Sequence, residues 1–148
     1  MKSFRRILFA TDFSPASARA FDEAISLAKT AGSELVIVHV HQPPSLFPTD
    51  VAVSPSVYEQ VDRTLREGAE EGLAKLVTEA GRRGLRAQSL LLTGFADQAI
   101  AEAAREREAD LVVVGTHGRT GVRRFLLGSV ASRVITAAPC PVMTVPAA

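Results

Sequence analysis

The chain has 148 residues, enough for one domain with an apolar core that needs neither disulfides nor metals. Apolar residues make up 47% and charged residues 22%, ordinary for a globular protein, and no apolar run approaches the roughly 18 residues of a membrane helix. The formal charge of +1 gives no support to general nucleic-acid binding.

Read in chain order, Arg5–Thr11 is the first expected strand. Asp12 cuts its apolar stretch too short for a signal peptide, so a cytoplasmic location is expected. Ser14 is a good N-cap, Pro15 suits the first helical position, and Gly32 sits where that helix should stop. Ala18, Phe21, Ile25 and Ala28 recur on one face of it. Glu34–Val40 is the second strand, and Gln42–Pro55, with Pro43, Pro44, Pro48 and Pro55, reads as a loop. A long helix over about Ser56–Gly84 aligns Val57, Val61, Leu65, Ala69, Leu73, Leu76 and Ala80. The third strand is Ala87–Leu92, followed by a helix near Ala96–Glu108 and a fourth strand over Asp110–Gly115. A helix near Ser129–Ala138 and a short strand over Pro141–Val145 close the series.

Strands alternating with helices predict an α/β fold, a doubly wound open parallel sheet of five strands with helices on both faces. The runs Leu35-Val36-Ile37-Val38 and Leu111-Val112-Val113-Val114 are apolar throughout, as parallel strands covered on both sides should be. One domain over 1–148 accommodates the series. Cys140, the single cysteine, lies between Pro139 and Pro141 and reads as a buried, inert thiol in a reducing compartment.

In such a sheet ligands bind beyond the carboxyl ends of the strands, where the order reverses. For the order 3-2-1-4-5, that point lies between Ala10-Thr11-Asp12-Phe13 and Gly115-Thr116-His117-Gly118. Glycines let backbone N–H groups approach an anion, and Gly128-Ser129 then opens a helix whose N-terminus favours phosphate. Ser129 supplies a hydroxyl, and Arg119, Arg123 or Arg124 would supply charge. A glycine-rich turn with a serine N-cap and a solvated arginine face is the plainer reading of the same residues. The chain has no G-x-x-x-x-G-K-[S/T] and no G-x-G-x-x-G after its first strand, against a Walker-type ATPase and a dinucleotide dehydrogenase. A receiver-type phosphoacceptor would want clustered acids, and Asp12 stands alone at its strand end.

Gly115-x2-Gly118-x9-Gly128-Ser129 resembles the ATP-binding signature of the universal stress protein family. The opening Ile7–Ser14 and the closing Ala138–Val145 resemble that family's first and last strands, so the likeness spans essentially the whole chain. It implies a Rossmann-like, adenine nucleotide alpha hydrolase-like fold. It also implies that Ala10, Thr11 and Asp12 line the adenosine side, with Asp12 near the ribose. Val40 would offer backbone groups to adenine, and Val114 and Gly115 would pack on the nucleoside. Gly118, Arg119, Gly128, Ser129 and Val130 would hold the phosphates of ATP with Mg²⁺, to which Asp12 is also a possible ligand. The resemblance further implies a homodimer through Val142, Met143, Thr144 and Val145, where an edge strand invites a partner.

Taken singly, Asp12 reads either as a ribose or metal contact or as a solvated turn carboxylate capping the next helix. His117 reads as a base, as a phosphate contact or as loop surface. His39 reads as a satisfied core histidine, and His41 carries no distinct signal. The histidines have no metal-ligand spacing, so no protein metal cage is expected. Ser129 is assigned capping and phosphate contact, since nothing local supplies the base a nucleophile needs. The leading expectation is an ATP-binding stress-response regulator. The rivals are a slow ATPase or autophosphorylating enzyme, and a partner-binding dimer that uses no nucleotide.

Overall fold

The computed structural model describes residues 3–44, 53–116 and 127–147. Along them strands and helices alternate as β1 (Arg6–Ala10), α1 (Pro15–Ala31), β2 (Glu34–His41), α2 (Pro55–Arg82) and β3 (Ala87–Thr93). They continue as α3 (Ala96–Glu106), β4 (Leu111–Gly115), α4 (Ser129–Ala137) and β5 (Val142–Val145).

Local chemistry sets the boundaries. The Ser14 hydroxyl accepts the Ser17 N–H, and Pro15 follows with its φ already suited to a helix. At the other end Gly32 adopts φ 66°, and its N–H bonds the Ala28 carbonyl. Ser54 caps α2 in the same way through the Val57 N–H.

All strand pairs are parallel, in the order β3-β2-β1-β4-β5. Ile7 lies opposite both Leu35 and Leu111, and Phe9 opposite Ile37 and Val113. At the amino end of the sheet, the Asp110 carboxylate accepts the N–H groups of Arg5 at 2.8 Å and Arg6 at 3.0 Å.

Because side chains alternate across a strand, the sheet feeds two cores. Ile7, Phe9, Leu35, Ile37 and Val113 pack with Phe21 and Ile25 of α1 and Leu73 and Ala80 of α2. Leu8, Val36, Val38, Val112 and Val114 pack with Ile100 and Ala104 of α3 and Ala131 and Val134 of α4. Each fully buried aliphatic side chain contributes about 1.5–3 kcal/mol of transfer free energy. The expected doubly wound architecture and strand order are those observed.

Two expected faces need correction. Ala18 is exposed, and Ala20 and Ala24 take its place toward the sheet. In α2 the aligned residues Val57, Val61 and Leu65 are 46%, 44% and 43% exposed, and burial begins at Ala69. Length explains this. A 28-residue helix is about 42 Å long, whereas the eight residues of β2 span about 26 Å, so α2 outruns the strands it covers. At the end of β2, buried His41 reaches across to α2, its Nε2 lying 2.6 Å from Asp62 Oδ1. No helix of the described residues is long and apolar enough to cross a membrane.

Candidate functional site

The crossovers diverge between β1 and β4. β1 leads through α1 to β2 on one side, while β4 leads through α4 to β5 on the other face. Between their carboxyl ends lies a cavity of about 390 Å³. That falls within the roughly 300–1,000 Å³ typical of small-molecule sites.

Its floor comes from the ends of three strands: Ala10, Thr11 and Asp12 after β1, Val38, His39 and Val40 of β2, and Val114, Gly115 and Thr116 at β4. Ala96 and Ile100 of α3 close one wall with apolar surface. Gly128, Ser129, Val130 and Ala131 bring the start of α4 to the cavity, and Gln42 and Ser17 complete the rim.

The turn after β1 is tightly bonded. Thr11 is buried; its hydroxyl lies 3.0 Å from Ser17 Oγ and accepts the Phe13 N–H at 2.9 Å. The Thr11 N–H continues the ladder by donating to the Val38 carbonyl. Asp12 Oδ1 accepts the Ser14 N–H at 2.9 Å, closing a local side-chain turn. Capping of α1 falls to Ser14, and Asp12 lines the cavity.

His39, expected in or near the core, lines the cavity as well. Its Nδ1 is 2.7 Å from the Thr11 carbonyl oxygen, which can only accept, so Nδ1 carries the proton. Its ring is 4.6 Å from that of Phe13.

On the β4 side Gly115 has a steric reason. A Cβ there would lie 3.3 Å from the carbonyl carbon and oxygen of Ala16 and 3.4 Å from the Ser17 nitrogen, so any larger residue would make the start of α1 give by a few tenths of an ångström. The Thr116 N–H donates to the Val145 carbonyl, and its own carbonyl accepts the Gly128 N–H. The two ends of the intervening segment are thereby pinned together at the cavity. Here Ser129 departs from its expected capping role. Gly128 occupies the cap position, at φ −60° and ψ 157°, and Ser129 is the first helical residue. Among the described residues no side chain caps α4, and Ser129, Val130 and Ala131 at its start line the cavity, where the helix dipole favours an anion.

Of the residues expected at the site, Ala10, Thr11, Asp12, Val40, Val114, Gly115, Gly128, Ser129 and Val130 meet around this cavity. His117, Gly118 and Arg119 lie outside the described residues, as do Arg123 and Arg124. Sequence reasoning missed Ser17, Val38, His39, Gln42, Ala96, Ile100 and Ala131. His39 could have been found from its place next to Val40 at the strand end. Among the described residues no group of three or more His, Cys, Asp or Glu side chains is placed to hold a metal ion.

An open parallel sheet with a part-apolar crevice at its switch point defines a Rossmann-like α/β protein. The chain belongs to the universal stress protein family, whose model matches residues 3–146. It is 36% identical over 149 residues to universal stress protein MJ0531 of Methanocaldococcus jannaschii, covering 96% of this chain and 82% of that one. A universal stress protein of Thermus aquaticus is 37% identical over 142 residues, covering 96% and 98%. Among solved structures, UspA of Lactobacillus plantarum superposes with a TM-score of 0.84 at 22% identity, covering 98% and 99%, a likeness of fold. A universal stress protein solved in complex with cAMP has a TM-score of 0.67 at 25% identity, with 97% of each chain covered.

Proposed function

We propose that this protein is an ATP-binding regulator of the stress response, holding its nucleotide at the carboxyl ends of β1 and β4. The observation that carries the reading is the cavity itself: apolar walls meet a helix N-terminus across a single crevice. Val38, Val40, Ala96, Ile100 and Val114 offer a slot suited to a flat base, and the start of α4 offers N–H groups suited to a phosphate. The related protein solved with cAMP supports an adenine nucleotide as the ligand class.

In this reading Ala10, Thr11 and Asp12 line the adenosine side, with Asp12 at the ribose. Val40 presents backbone groups to adenine, while Val114 and Gly115 pack on the nucleoside. Gly118, Arg119, Gly128, Ser129 and Val130 hold the phosphates, with His117 beside them and Mg²⁺ bound through the phosphates. The ion would screen the charge of the phosphates. One domain carries the function, in the cytoplasm, and two copies pair through Val142–Val145. Occupancy regulates by favouring one of two conformations, which requires that the nucleotide bind them unequally.

The test is mass spectrometry of small molecules released from the purified protein, followed by calorimetric titration with ATP and Mg²⁺, AMP and cAMP. Saturable ATP binding that is lost in a folded Gly118→Val variant is the expected result. No co-purified nucleotide and no heat at millimolar concentrations would overturn it. Tight cAMP binding without ATP binding would retain the site and change the ligand. Phosphate release followed in parallel separates a holder of ATP from a slow ATPase.

A further inference from the structure

Phe13 has a backbone φ of 63°, a left-handed conformation that a bulky residue adopts only when its surroundings impose it. Three contacts impose it here. Its N–H donates to Thr11 Oγ1, its ring centroid lies 4.6 Å from that of His39 with the planes tilted by 34°, and the same ring packs against Gly72 in the middle of α2. A Cβ on Gly72 would come within 2.7 Å of Phe13 Cε1 and 2.8 Å of Cζ, closer than atoms can approach.

Gly72 is therefore a notch in α2 into which the Phe13 ring fits. A glycine inside a helix is disfavoured relative to alanine; Gly68 and Gly81 of the same helix have open space where a Cβ would stand, and at Gly72 the Phe13 ring fills it. Both residues flanking this contact chain open onto the cavity: Asp12 directly before Phe13, and His39, which also holds the Thr11 carbonyl.

We infer that Phe13 is a positioning residue for the ligand-binding turn, seated in the Gly72 notch so that α2 fixes where the Asp12 carboxylate stands. This rests on the reading of the cavity as an adenine nucleotide site with Asp12 at the ribose. In that frame the notch governs recognition of the sugar and leaves the base slot and the phosphate end alone.

The experiment compares ATP with 2′,3′-dideoxy-ATP by calorimetry, in the presence of Mg²⁺. It uses the wild type and the variants Asp12→Ala, Gly72→Ala, Phe13→Leu and Gly72→Ala/Phe13→Leu, each checked for folding by thermal melt. Wild type should prefer ATP by about tenfold, the size of one or two lost hydrogen bonds. Gly72→Ala and Phe13→Leu should each lose that preference as Asp12→Ala does, with dideoxy-ATP affinity within about threefold of wild type. The double variant, which roughly conserves volume, should regain it. Should Gly72→Ala fail to fold, Phe13→Leu and the double variant carry the same comparison.

Full preference in folded Gly72→Ala and Phe13→Leu would overturn the inference and leave the nucleotide site standing. So would an equal loss for both nucleotides, the mark of a merely structural contact. A wild type that binds ATP without preferring it would remove Asp12 from the ribose and the inference with it. A wild type that binds neither nucleotide would overturn the site as well.

Discussion

His41 Nε2 lies 2.6 Å from Asp62 Oδ1, joining the last residue of β2 to α2 across the edge of the core. Arg66 binds the other carboxylate oxygen at 3.0 Å, and Asp62 is held below the usual carboxylate range, first by the His41 hydrogen bond and then by Arg66. A carboxyl depressed in the folded state stabilises above its unfolded pKa, and that contribution is lost as pH falls through the folded value. Asp62→Asn should therefore lower the melting temperature at pH 7 and narrow its gap to wild type below about pH 4. Melts across that range check this; a gap independent of pH would assign the effect to packing.

Gly115→Ala would press a methyl group onto the Ala16 carbonyl and Ser17 nitrogen. The first turn of α1 must give by a few tenths of an ångström, at a cost of about 1 kcal/mol. Because that turn sits at the cavity, nucleotide affinity should fall by about tenfold, more than the modest stability loss explains. Urea denaturation and titration of the same preparation separate the two effects.

Phe9 is fully buried, its ring 5.5 Å from that of Phe21, so Phe9→Ala should cost about 3–5 kcal/mol. Leu65→Ala, at a residue 43% exposed on the overhanging half of α2, should cost less than about 0.5 kcal/mol. Equal losses would show that the stripe is covered in solution.

β5 pairs only with β4 among the described strands, and Met143 is exposed upon it. If two copies pair along this edge, Met143→Arg should convert the dimer to a monomer in sedimentation velocity without lowering the melting temperature at high dilution. A wild type that sediments as a monomer would remove the edge as the contact.

The alternation of apolar strands with capped helices made the element order and both caps of α1 readable from sequence, because each is set by neighbours in the chain, whereas the order 3-2-1-4-5, which sets β1 beside β4, entered as a premise of the fold class. Periodicity misplaced Ala18, and it put Val57, Val61 and Leu65 in the core. It reports which residues are apolar, not whether a partner lies opposite. At the site, Ala10–Asp12, Val40, Val114, Gly115 and Gly128–Val130 were accessible because strand ends and glycines mark the switch point. Phe13 and Gly72 were not. Their contact joins distant parts of the chain, and nothing local to either residue announces a left-handed phenylalanine or a notch. His41 was similarly silent, its partner lying on a helix two turns in from the start.

Both faces of β1 are apolar and buried, so burial alone does not forbid a one-residue slip of this strand. The Arg6 side chain opposes it, donating through Nε to Glu34 and through Nη1 to the Arg107 carbonyl, partners that a slip would take from it. A slip would exchange Ile7 and Phe9 with Leu8, and at the far end would carry Asp12 about 3.3 Å along and onto the opposite face. The crevice is thus indexed from the other end of the molecule: an anchor at the foot of the strand decides which side chains arrive at its head.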